Sequence, residues 1–392
     1  MPRWICFFLL LALQNISARE TTSPAAADAY TIRHFDPRIQ RGIDLIYNLR
    51  FKAADRYFGD LIVADPENPV GHFFLAMATW WRVLIDLEDE SHDEAFYALL
   101  EKCIAVCDRR LKQDPDDFDA TLFKAGSIGF RGRLRGDRHQ YLKAARDGLR
   151  CLPLLRASQK LEPVNKDILF GQGIYNYFAQ VIPQRYPAVR PVMWFLEDGD
   201  REEGLRQLRE VAQSGHYART EASYFLARIY RLFEKDKHLA QTHLDQLYSR
   251  YPDNALFHRF LARNLVELGQ WKRGIALYEE VVEHSREERT GYHLRGHIEA
   301  LYNLGKYALY QYRLSDAETH FAEAGRLSDK LEKPGQNSYA VLARLMLGMT
   351  HDVQGRRQEA LVCYEQVERM DEHGDSRKLA RKYLKEPYQS RR

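Results

Sequence analysis

Residues 198–205 read Asp-Gly-Asp-Arg-Glu-Glu-Gly-Leu, which places carboxylates at Asp198, Asp200, Glu202 and Glu203. Carboxylates crowded in this way can work as general acid and base, because each raises the cost of ionising its neighbour. A hydrolase would draw on Asp198, Asp200 and Glu202. The same octet has a second reading that needs no reaction. Asp200 followed three residues later by Glu203 is a capping-box pattern, and Glu202 and Glu203 fall in the first helical turn, where the macrodipole favours negative charge. A catalytic pair also needs a nucleophile or a metal shell in one pocket, and the chain shows no P-loop and no Gly-x-Ser-x-Gly. The octet is read as a helix start, no catalytic residue is assigned, and the protein is read as non-enzymatic.

Two further clusters could carry chemistry. His293 and His297 stand one helical turn apart with Glu299 nearby, but Leu294, Arg295 and Gly296 lie between them, so the His-Glu-x-x-His order of a zinc site is absent. No metal and no cofactor are expected. Arg131, Arg133, Arg135 and Arg138 form a dense basic run where a loop passes into a helix, read as a solvated charged face in preference to an anion-binding patch. The chain has 58 Lys+Arg against 55 Asp+Glu. That near-neutral balance nominates no nucleic-acid partner, which would need a net basic surface.

Residues 1–18 hold one positive charge, an apolar run from Ile5 to Leu13 and a small residue at Ala18. This is the pattern of an export signal, too short to span a bilayer. The expectation is an exported protein, in a bacterial periplasm or secreted, with a polar linker over 19–36 and no transmembrane segment in the mature chain. Cys103, Cys107, Cys151 and Cys363 follow no redox, zinc or haem spacing and are expected to be buried thiols.

The elements that must position all of this come from a repeated pair, a small residue followed four positions later by a large one. It occurs at Ala54/Phe58, Cys103/Cys107, Cys151/Leu155, Gly204/Leu208, Ala240/Leu244, Gly274/Tyr278, Ala317/Phe321 and Ala360/Tyr364. Pro66, Pro115, Pro163 and Pro252 each lie twelve residues after the small member of a pair and should end a helix there. Leu304-Gly305 and Leu347-Gly348 each lie twelve residues before an alanine of the series. Together these are the signature of tetratricopeptide repeats, in which one helix of a hairpin packs closely on the next. Intervals of 49, 48, 53, 36, 34, 43 and 43 residues mean that several hairpins are elongated. The predicted fold is all-α: a right-handed superhelical solenoid of about eight such hairpins over 37–372, closed by a basic C-terminal capping helix and tail over 373–392.

Residues 165–235 carry a more specific likeness. Gly171, Gly173, Asn176, Pro183, Gly199, Asp200, Arg201, Glu202, Gly204 and Leu205 resemble the central signature of the Iml-type and tetratricopeptide repeat protein thirty-nine family. The resemblance implies a helical repeat scaffold or ligand holder without a catalytic site.

In such a solenoid the first helix of each hairpin faces the concave side, where partners bind. The repeat frame puts an aromatic groove there: Phe73, Met77, Trp80 and Trp81, then Phe170, Ile174, Tyr177 and Phe178, then Phe225, Ile229 and Phe233, then Tyr302 and Tyr310. Rigid aromatic side chains bind large apolar surfaces at small entropic cost. The expected function is an adaptor holding a protein partner in this groove. A carrier of a lipid-like ligand is the alternative, and the proline-rich insert at 181–196 could instead fill the groove itself.

Overall fold

The computed structural model describes residues 37–185 and 199–389. The proposed leader and linker, Asp198 and most of the 181–196 insert lie outside the described residues. Among the described residues there are seventeen α-helices and no strand, in two compact units that divide between Glu234 and Lys235. The fold is an all-α solenoid of helical hairpins.

The first unit runs α1 (Pro37–Tyr47), α2 (Phe51–Ala64), α3 (Pro69–Ile85), α4 (Asp93–Gln113), α5 (Phe118–Asp137), α6 (Tyr141–Leu161), α7 (Ile168–Arg185), α8 (Arg201–Ser214) and α9 (Arg219–Ile229), the last continuing as a π-turn over Tyr230–Glu234. The second runs α10 (Lys237–Arg250), α11 (Ala255–Glu267), α12 (Trp271–Arg286), α13 (Leu294–Tyr310), α14 (Leu314–Ser328), α15 (Ser338–Val353), α16 (Arg357–Glu368) and α17 (Ser376–Lys385). The eight small/large pairs fall on α2, α4, α6, α8, α10, α12, α14 and α16. Each of the four prolines stands two residues beyond the end of its helix. The long intervals of the first half are taken up by helix length, 21 residues in both α4 and α6 and 20 in α5.

Helix starts follow local chemistry. Asn68, Asp117, Asp200, Asp236, Asn254 and Asn337 each accept a hydrogen bond from a backbone N–H in the first turn of their helices. These groups would otherwise have no partner within the helix. At the acidic octet, Asp200 Oδ1 accepts from the Glu203 N–H at 2.9 Å. The Glu203 carboxylate is turned outward to Arg206, with a contact of 2.6 Å, and Glu202 pairs with Arg201.

The pairs are where helices meet. Gly204 of α8 lies against the backbone of α7, so a Cβ there would stand 2.5 Å from the Tyr177 nitrogen and 2.8 Å from the Gly173 oxygen. Only glycine allows that approach. In the second unit a Cβ at Gly305 would lie 2.7 Å from the Phe321 ring, so the glycine of α13 receives the large residue of α14. The final helix, α17, buries Ala380 in a core with Val341, Leu345, Ala360, Tyr364 and Val367. Arg357 donates to the carbonyls of Tyr383 and Leu384 at 2.7 and 3.0 Å, satisfying acceptors at the end of that helix.

The basic run corrects one expectation. Arg131, Arg133 and Arg135 belong to α5, with Arg138 as its C-cap, and they do not form a solvated face. Arg131 is buried and makes three hydrogen bonds to the Asp147 carboxylate of α6 at 3.2, 3.1 and 2.6 Å, with a fourth to Glu101 at 2.5 Å. Arg135 donates to the same Asp147 at 2.6 Å. Arg138 binds Asp93 at 2.5 and 2.9 Å and the Leu87 carbonyl at 2.5 Å. The charges are inside because each long helix turns a guanidinium toward a carboxylate on its neighbour, which a linear charge count does not reveal.

Candidate functional site

Within the first unit α1, α3, α5, α6, α7 and α9 line a partly open cavity of about 230 Å³. One side is aromatic. Phe73, Phe74, Met77 and Trp81 come from α3, Phe123 and Phe130 from α5, Phe170 and Ile174 from α7, and Phe225 from α9. Small residues complete the lining: Gly126, Gly129 and Gly132 repeat every three residues along α5, and Ala144, Ala145, Gly148 and Cys151 come from α6. Gly129 is the open position of the three, where a Cβ would meet only Cys151 Sγ at 3.7 Å; a Cβ at Gly126 would lie 2.9 Å from the Phe73 ring and one at Gly132 3.0 Å from Asp147 Cβ. Cys151 and Leu155 form the one small/large pair in which both members are only half-buried: they border the cavity.

One end of the cavity is polar. Glu221 of α9 is buried, with 7% of its surface exposed. Its Oε1 accepts from Trp81 Nε1 at 3.0 Å and from the Tyr47 hydroxyl at 3.3 Å. Its Oε2 stands 4.0 Å from Nη1 of Arg133, and neither of these two atoms has a hydrogen-bond partner. The Arg133 guanidinium is clamped between the rings of Trp80 and Phe225, 4.5 and 4.7 Å from their centroids. Burial pushes the Glu221 carboxyl above the ordinary carboxylate range, opposed by Arg133, Trp81 and Tyr47. Asp167, elsewhere in the lining, accepts from the backbone N–H groups of His216, Tyr217 and Ala218 at 2.9–3.0 Å.

Of the aromatic groove residues, Phe73, Met77, Trp81, Phe170, Ile174 and Phe225 come together around this cavity. Trp80 lies behind the lining, packed on Phe96 and Phe130 at 5.5 and 5.7 Å between centroids and against the Arg133 guanidinium. Tyr177, Phe178 and Phe233 form a separate cluster in which Phe178 meets Phe233 at 5.3 Å, and Ile229 is buried in the core. In the second unit Tyr302 packs on Tyr339 at 5.5 Å, while Tyr310 is 61% exposed beside Trp271. The polar end was missed from sequence. Glu221, Arg133 and Tyr47 lie on three helices far apart in the chain, whereas the Gly126, Gly129, Gly132 spacing on α5 was a readable sign of a bare helix face.

The other clusters are placed as follows. Asp200 and Glu202 are engaged in helix capping and in the pair with Arg201, and Asp198 lies outside the described residues. His293 is the N-cap residue of α13, and His297 is buried, with its imidazole pKa lowered by burial. Glu318, His351 and Glu359 bring ligand atoms together in the second unit, but Arg356 already contacts Glu318 and Glu359, so a guanidinium stands where a cation would. Cys103, Cys107 and Cys363 are buried free thiols, and Cys151 is a half-buried one. No helix among the described residues is long and apolar enough to cross a membrane.

Residues 221–254, which span α9 and α10, match the tetratricopeptide repeat family. The chain carries a tetratricopeptide repeat. That places the fold among scaffolds that typically bind other molecules rather than transform them. No curated protein matches this repeat chain in sequence. Solved structures similar to it include the human IFIT1 dimer with PPP-AAAA, at 15% identity over 85% of this chain and 71% of that one, with a TM-score of 0.42. Two others are bacterial. They are the C-terminal part of a TPR repeat-containing protein from Cytophaga hutchinsonii (15% identity, 76% of this chain, 97% of that one, TM-score 0.36) and a tetratricopeptide repeat protein from Parabacteroides merdae (15%, 78%, 97%, 0.32).

Proposed function

We propose that residues 37–234 form a non-catalytic binding unit whose cavity takes up a lipid-like apolar ligand. The observation that carries this reading is the aromatic cavity itself, about 230 Å³, with open space at Gly129. Pockets with predominantly apolar walls and a few convergent polar groups are the usual form of small-molecule sites. The resemblance of residues 165–235 to a family of helical repeat proteins, for which it implies a scaffold or ligand-holding role, is consistent with the same reading.

A cavity-filling variant tests it. A Cβ at Gly129 would meet only Cys151 Sγ, at 3.7 Å, so a larger side chain has room to enter the cavity. Gly129→Leu should leave stability unchanged or raise it by about 1 kcal/mol through helix propensity. It should also abolish uptake of the neutral dye N-phenyl-1-naphthylamine, followed by fluorescence, with the helical circular-dichroism signal intact. Equal uptake by the variant, or none by the parent protein, defeats the reading.

A second reading, an exported adaptor that grips an apolar segment of a protein partner, draws support from the tetratricopeptide repeat at 221–254 and from exposed Tyr310 in the second unit. Cross-linking in the native envelope, with sequencing of the mature N-terminus, tests both the partner and cleavage after Ala18. Recovery of an uncleaved chain with no captured protein would remove it.

A further inference from the structure

We infer that the part of the ligand seated in this cavity is an uncharged, flat ring system of about ten carbon atoms. This rests on the reading of the cavity as a ligand site and adds the charge, size and shape of what it holds.

The charge follows from the walls. Among the described residues three charged side chains line the cavity, and each is already committed within the protein. Glu221 and Arg133 form an ion pair whose facing atoms, Oε2 and Nη1, are closed to solvent, and Glu221 Oε1 is used by Trp81 and Tyr47. Asp167 accepts from three backbone N–H groups. The Cys151 thiol donates to the Ala125 carbonyl at 3.3 Å, and burial raises its pKa to about 12, so it is uncharged at neutral pH. A carboxylate or ammonium entering here would lose its water and find no partner.

The size follows from the space. An apolar cavity of about 150 Å³ holds benzene. The cavity here, about 230 Å³, has room for a ring system half as large again, about ten carbon atoms, and its open part gives a substituent a way out.

The shape follows from the rings. Phe74, Phe123 and Trp81 are buried, whereas Phe73, Phe130, Phe170 and Phe225 are half-buried and keep ring surface uncovered. These four form two edge-to-face pairs, Phe73 with Phe130 at 6.1 Å and 66°, and Phe170 with Phe225 at 5.5 Å and 78°. A flat ring added to them continues that pattern and gains more than its buried area alone supplies. At Gly129 no side chain obstructs such a face. A saturated chain of the same volume makes no ring–ring contact and gives up rotamer freedom on entering.

The test uses the full chain and three probes, naphthalene, 1-naphthoate and 1-octanol, the last a chain of similar hydrophobicity to naphthalene, each displacing N-phenyl-1-naphthylamine at neutral pH. Naphthalene should bind at least about threefold tighter than 1-octanol, the scale of one aromatic contact, and at least about tenfold tighter than 1-naphthoate, whose charge has no partner. Phe170→Leu should cut naphthalene affinity about threefold to tenfold and leave that of 1-octanol within about twofold, with the circular-dichroism signal intact. If that variant does not fold, the ranking on the parent chain decides alone. A smaller preference over 1-octanol, or equal losses for both in Phe170→Leu, overturns the ring assignment. A smaller preference over 1-naphthoate overturns the assignment of an uncharged ligand. Either result leaves the cavity reading standing, whereas failure of the dye and of every probe to bind defeats the cavity reading and the inference with it.

Discussion

Replacing Asp147 by alanine is expected to cost the first unit about 3–5 kcal/mol, the usual penalty for leaving a buried charge without its partner. Asp147 is fully buried and holds both Arg131 and Arg135 across the α5–α6 contact. Arg131 would retain only Glu101, which is half exposed and compensates a buried guanidinium weakly. The same two helices form the small-residue wall of the cavity, so loss of this ion cluster should loosen the site as well as the fold. Urea unfolding followed by tryptophan fluorescence measures the cost, and Trp80 and Trp81 report on the affected unit. A loss under about 1 kcal/mol would show that the cluster is dispensable.

Acidification should weaken the second unit through His258. This side chain is completely buried, its Nδ1 lies 2.9 Å from the Tyr292 hydroxyl, and burial followed by the nearby His284 pulls its pKa down from 6.5 to about 4. Its pKa is lower folded than unfolded. The unfolded chain therefore takes up a proton as pH falls through 6.5, while the folded chain stays neutral until about pH 4. The stabilisation is fully present above pH 6.5 and is lost between there and pH 4, in total about 3 kcal/mol at 1.36 kcal/mol per pKa unit. His297 and His351, also lowered by burial, act in the same direction. Denaturant midpoints across this pH range should fall steeply for the parent protein and less for His258→Gln. Parallel pH profiles would rule out His258 as the main cause.

Two of the longest helices, α5 and α6, border the cavity. Helices of 20 and 21 residues extend the contact between α5 and α6 beyond what the small/large pair can seal. Along that contact Gly132 packs closely on Ala144 and Asp147 of α6, while Gly129 faces open space in the cavity. Glycines meet rings directly in both units, as Gly126 does Phe73 in the first and Gly305 does Phe321 in the second.

Much of the architecture was legible in the chain because it is set by local rules. Small/large pairs at four-residue spacing marked the second helix of each hairpin, prolines marked helix ends, and Asp200 marked a start, since capping and steric termination act within a few residues. The sequence by itself thus determined helix content, hairpin count and the structural role of the acidic octet. Which aromatics face one cavity was decided elsewhere. Trp80 and Trp81 are adjacent in the chain yet point about 100° apart around α3, one packed against α4 and the other bonded to Glu221. The arginine run looked solvated because its partners Asp147, Asp93 and Glu221 stand on other helices or helix starts. Hydrogen bonds and ion pairs act over a few ångströms, and only tertiary packing brings residues 47, 81, 133 and 221 within that reach.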